Sequence, residues 1–191
     1  MGSVVGGNEV RVGMKLEIDG APYLVVKAQH SKSANRRAVV QAMVRNLISG
    51  QMLDRTFHER DKFNFADLVA KKMAFLYAEG DHFVFMDPDT YDQPHIPKDM
   101  VGEAAQFLRE NTEVDVLFYN GNAVTVELPA SVEFRITHTE PGVRGDTATN
   151  VTKPATIETG ATVRVPLFIN EGDTIKIDTR TGDYLERVRT S

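Results

Sequence analysis

The chain has 191 residues, 41% hydrophobic and 26% charged, with a net charge of −5, the composition of a soluble globular protein of one large or two to three small domains. It has no cysteine, which excludes thiol catalysis, cysteine-ligated zinc and disulfides and fits a reducing, cytoplasmic setting. No segment approaches the roughly 18 apolar residues of a membrane span, so no membrane partner is expected.

The charge is unevenly spread: residues 1–66 carry +4 and the remaining 125 carry −9. Such asymmetry suggests a basic end that meets an anionic partner. It also arises by chance in a modular protein. The start, "MGSVVGGNEV", lacks a basic segment followed by an apolar run, so no secretory signal is expected. It reads as an expression scar or a flexible tail.

In "EIDGAPYLVVKAQ" the pair Asp19-Gly20 feeds a strand. "HSKSANRRAVVQAMVRNL" (30–47) is basic on its left and alternates like a strand on its right. The two runs predict a β-hairpin whose tip is a loop of about eight residues, Ser31 to Ala38, longer than the common two to five. Ser49-Gly50 marks another turn, and residues 1–66 read as a small twisted antiparallel barrel. "KMAFLYAEGDHFVFMD" gives two strands joined at Glu79-Gly80-Asp81. In "IPKDMVGEAAQFLREN", Met100, Ala104, Phe107 and Leu108 share one face of a short helix ending near Asn111. Asn120-Gly121 is a strong hairpin signal, and Pro129-Ala130 is a plausible joint. Beyond it "SVEFRITHTEP" alternates, "GVRGDTATNVTKPATIETGA" is loop-like, and "TVRVPLFI" and "DTIKIDTRTGDYLERV" supply further strands. Regularly punctuated strands with little helix predict an all-β protein of three small barrels, with domains at 1–66, 67–129 and 130–191.

No catalytic constellation stands out. His30, His58, His82, His95 and His138 lack metal-ligand spacing. Asp87 and Asp89 in "DPDTYD" could share a metal or act as acid and base, but Asp-Pro-Asp is ordinary turn chemistry and no third partner is evident. "GVRGD" is too short for a phosphate-cradling loop. The basic tip is open to two readings: Lys32, Arg36 and Arg37 contact nucleic-acid phosphates, or they are solvated charges.

Lys153, Ala155, Gly160, Val163, Val165-Pro166, Ile169 and Gly172 in "KPATIETGATVRVPLFINEG" resemble the carboxy-terminal pattern of the bacterial elongation factor P family. "DGAPY", "RNL", "FMD", "TEPGVRGDTA" and "DTRTGDYLERV" agree in the same order, so the resemblance spans about Val12 to Val188. It implies an SH3-like (KOW-type) barrel followed by two OB-fold barrels in an L shape that mimics tRNA. It implies a translation factor without enzymatic activity or cofactor that binds the 70S ribosome between the P and E sites. There it would position peptidyl-tRNA and relieve stalls at consecutive prolines. The implied partners are ribosomal RNA, P-site peptidyl-tRNA, mRNA at the E site and, in members with a modified tip, a modification enzyme.

The resemblance makes Lys32, Ser33, Ala34, Asn35, Arg36 and Arg37 the tip that reaches the peptidyl-transferase centre. Gly145, Asp146 and Thr147 become the loop at the E-site codon. Typical members carry a modified lysine or arginine at the tip. A gap-free alignment puts Asn35 there, so either the tip is unmodified, with Arg36 and Arg37 on RNA, or the loop is re-registered so that Arg36 or Lys32 reaches instead; the first reading is the one taken. The family's paralogous branch, a free-standing RNA-binding barrel protein, and a hydrolase using Asp87 and Asp89 are the competing readings.

Overall fold

The computed structural model describes residues 4–33, 36–142 and 151–188, giving the backbone alone at 32, 33, 36 and 37. The described residues are mostly strands. In the first 66 residues β1 (Val4–Gly6), β2 (Lys15–Ile18), β3 (Ala21–Ser33), β4 (Arg36–Asn46), β5 (Met52–His58) and β6 (Lys62–Phe65) form one sheet. Its order is β1-β6-β2-β3-β4-β5. Inward residues alternate, as a half-buried strand requires. Val40, Ala42 and Val44 of β4 join Val10, Leu16, Val25 and Phe57 in one core. The amino terminus differs from its reading as a tail: Val4–Gly6 pairs with β6, and Val5 is buried in that core.

The second sheet contains β7 (Val69–Glu79), β8 (His82–Met86), β9 (His95–Pro97), β10 (Glu113–Tyr119) and β11 (Asn122–Glu127) in the order β11-β10-β7-β8-β9. The third contains β12 (Ser131–Thr139), β13 (Thr152–Ile157), β14 (Thr162–Pro166), β15 (Thr174–Asp178) and β16 (Tyr184–Val188) in the order β14-β13-β12-β15-β16. Numbered within each unit, both sheets run 3-2-1-4-5. In the third, strands β14 and β16 also approach each other. This is the connectivity of the five-stranded oligonucleotide-binding barrel. Asp19-Gly20 and Asn120-Gly121 have positive φ at both residues, the left-handed pair that a two-residue hairpin turn demands.

Two further expectations, in the second and third barrels, differ from the structure. The helix expected near 97–111 is only α1 (Lys98–Val101) followed by a 3-10 turn, Gly102–Phe107. Gly102 sits at φ 72°, ψ −149° and ends α1. Met100, Phe107 and Leu108 are nonetheless buried, so the apolar spacing marked a buried face rather than a continuous helix. Within the stretch read as a loop, Thr152–Ile157 is a strand between β12 and β14. Its inward residues are Lys153, Ala155 and Ile157, a period of two disguised by an inward lysine and by Pro154. Pro154 stands beyond the last β12 pairing, Thr139↔Ala155, so no N–H is missed there on that side. Compactness groups residues 72–115 with 126–191, and 1–71 with 116–125.

Candidate functional site: a projecting hairpin and a pinned loop

β3 and β4 are the longest antiparallel pair, from Tyr23↔Asn46 to Ser33↔Arg36. The pairing corrects the eight-residue loop: the strands run to Ser33 and restart at Arg36, because ladder hydrogen bonds use backbone groups and tolerate a polar, basic sequence. Ala34 and Asn35 lie outside the described residues. The β4–β5 ladder stops at Val39↔His58. Beyond it the hairpin continues as two strands alone, for about 10 Å at roughly 3.3 Å per residue. Irregularities at Val25/Lys27 and at Ser31/Ser33 add twist along its length. The backbone positions of Lys32, Ser33, Arg36 and Arg37 therefore lie on an extension past the edge of the barrel.

Gly145, Asp146 and Thr147 also lie outside the described residues, but both ends of their segment are described. It joins the first and second strands of the third barrel, a loop position used by oligonucleotide-binding barrels for ligands. Its neck is pinned by four side chains. Lys153 Nζ donates to the Glu140 carbonyl at 2.6 Å. Thr139 Oγ1 donates to the Pro154 carbonyl at 2.9 Å, and the Thr139 N–H donates to Glu171 Oε1 at 3.0 Å. Arg164 donates from Nε to Thr152 Oγ1 at 3.1 Å and from Nη2 to the Thr152 carbonyl at 3.0 Å. His138 Nδ1 lies 2.7 Å from the same Glu171 carboxylate. None of these roles is visible in the sequence except as a pattern point at Lys153, whose place between turn signals hid its inward direction.

The remaining residues separate rather than converge. Asp87 Oδ1 accepts the N–H groups of Asp89 at 2.9 Å and Thr90 at 3.3 Å, so Asp87 shapes its own turn. His95 lies 3.6 Å from Glu79. Among the described residues no group of three or more His, Asp or Glu side chains could hold a metal. No helix there is long and apolar enough to cross a membrane. Lys72 is pushed above the ordinary lysine range by its hydrogen bond to Glu113 and by the charge of Asp115. Burial pushes the Tyr184 hydroxyl up.

A twisted six-stranded barrel with a long hairpin, joined to two barrels of oligonucleotide-binding connectivity, defines a multi-barrel β protein that presents loops from rigid scaffolds. Comparison with known proteins is specific. The elongation factor P KOW-like domain matches residues 7–63, the elongation factor P OB domain residues 68–126, and the elongation factor P C-terminal domain residues 132–187. Elongation factor P of Acidothermus cellulolyticus is 49% identical over 183 residues, covering 96% of this chain and 98% of that one. Elongation factor P of Coprothermobacter proteolyticus is 47% identical over 185 residues, covering 97% and 100%. The chain belongs to the elongation factor P family, and it is a translation elongation factor.

Proposed function

We propose that this factor works in the cytoplasm on the 70S ribosome, between the P and E sites beside peptidyl-tRNA, and stimulates peptide bonds at consecutive prolines. The reading assigns residues 1–66, 67–129 and 130–191 to three working parts. It rests on one observation above all: the hairpin β3–β4 continues past the end of β5 and carries the positions of Lys32, Arg36 and Arg37 outward. Cations on a narrow projection reach phosphates that a flat surface cannot. Each neutralised phosphate adds salt-dependent affinity for ribosomal RNA or tRNA without reading sequence.

The factor then acts by orientation rather than by chemistry of its own. Proline has a fixed φ and is a constrained nucleophile, so holding the peptidyl-tRNA end in an attack-ready geometry lowers the barrier by removing orientational freedom. Ribosomal RNA supplies the reaction. Gly145, Asp146 and Thr147, on the loop pinned by Lys153 and Arg164, face the E-site mRNA in this reading. The test is co-sedimentation with 70S particles together with a translation assay on a proline-run message. Binding that weakens steeply with salt, and faster passage through the run, are expected. No binding at physiological salt overturns the ribosomal reading.

A further inference from the structure

Glu158, Thr159 and Gly182 lie in the two carboxy-terminal stretches that carry the resemblance, yet none belongs to the tip or to the Gly145–Thr147 loop. All three close on one short segment, Gln106 to Arg109. Thr159 Oγ1 donates to the Gln106 carbonyl at 2.7 Å. Glu158 Oε1 accepts Arg109 Nη1 at 2.8 Å and the Arg135 N–H at 3.1 Å. The Glu158 N–H in turn donates to the Arg135 carbonyl at 3.1 Å. The carboxylate is thus fixed on β12 before it holds Arg109. The same Nη1 reaches the Glu133 carbonyl at 3.4 Å, and the guanidinium lies 5.8 Å from the Phe134 ring centroid.

Phe107 supplies the apolar half. It is 2% exposed and belongs to the core of the third sheet, with its ring centroid 6.0 Å from that of Phe134. A Cβ on Gly182 would stand 3.4 Å from Phe107 Cζ, so the ring lies within van der Waals reach of that turn. Joined domains move relative to each other unless a packed interface stops them. A buried ring alone permits swivelling. Two directional bonds on either side of it, from Thr159 and from Glu158, do not. Arg109 and Glu158 side chains are 47% and 33% exposed, so their attraction is modest in water. What the pair contributes is direction.

We propose that Phe107, Arg109, Glu158 and Thr159 form a latch of positioning residues. It makes residues 72–115 and the third barrel one rigid arm, and so fixes where the β12 and β13 ends of that barrel stand during translation. The last clause rests on the ribosomal reading above. The test uses the full chain, with residual dipolar couplings for amides in 72–115 and in 131–188. The wild type fits one alignment tensor for both sets. Arg109→Ala with Thr159→Val needs two tensors while each set keeps its dispersed amide spectrum. Relief of proline stalls falls on the order of tenfold, as expected for a misplaced positioning element.

One shared tensor in the double variant overturns the latch, and two tensors with wild-type relief overturn its positioning role. If the wild type itself gives no relief, the ribosomal reading fails while the tensors still decide the latch. Should the double variant lose its dispersed spectrum, Glu158→Gln and Thr159→Val are measured singly and read in the same way.

Discussion

The ammonium of Lys153 donates to the carbonyl of Glu140 at 2.6 Å, across the neck of the segment that joins β12 to β13. Lys153 is 7% exposed, so a charge is held out of water on a backbone dipole. Such a bond is stronger than a neutral one, and removing one partner leaves the other short of its hydrogen bond. Lys153→Met keeps the packing of the stem and loses the bond. The expected cost is about 2 kcal/mol, read as a lower urea midpoint at unchanged m-value. A loss below about 0.5 kcal/mol would show that the ammonium contributes no net stability to the neck.

The tip should behave in the opposite way. Arg36 and Arg37 stand on the two-stranded extension beyond the last β4–β5 pair, Val39↔His58. Residues at loop tips generally contribute little to folding. Arg36→Ala with Arg37→Ala should therefore leave thermal stability within about 0.5 kcal/mol of wild type while weakening relief of proline stalls. Equal relief by the double variant and the wild type would refute a working role for these arginines.

What could be read from the sequence follows from which signals are local. Turns were legible because Asp19-Gly20, Gly80-Asp81, Asn120-Gly121 and Thr181-Gly182 state their backbone needs in adjacent residues. The barrels were legible from strands that alternate cleanly, such as Ser131–Thr139. β13 was not, because Lys153 occupies an inward position, where its ammonium donates to the Glu140 carbonyl 13 residues away. The continuous helix was a misreading of the same kind: Met100, Phe107 and Leu108 do share a buried region, but Gly102 breaks the chain direction between them. Of the latch residues, the sequence marked Phe107 only as part of an apolar face and gave Arg109, Glu158 and Thr159 no role. Glu158 and Arg109 are 49 residues apart, and nothing local pairs them.

Gly102 gives a direct test of that break. Its φ of 72° with ψ of −149° lies in a region essentially restricted to glycine. Gly102→Ala should cost about 1–3 kcal/mol, rather than gain the stability that alanine brings to a helix interior. Thermal melts decide the sign. Stabilisation by Gly102→Ala would mean that the segment prefers to continue as an α-helix.

The chemistry of the tip makes the last prediction. In the proposed reading, Asn35 takes the place where family members often carry a modifiable lysine or arginine. Its amide nitrogen is conjugated with its carbonyl and acts as a hydrogen-bond donor only, whereas a free amine can be acylated. An unmodified tip that meets RNA directly through Arg36 and Arg37 is therefore expected. Protein purified from its native host should give an intact mass equal to that of the encoded chain, near 21.2 kDa. Peptides spanning Lys32 to Arg37 should carry no added group. An addition localised to Lys32, Arg36 or Arg37 would overturn this. It would also move the working contact from a bare guanidinium to a longer, modified side chain.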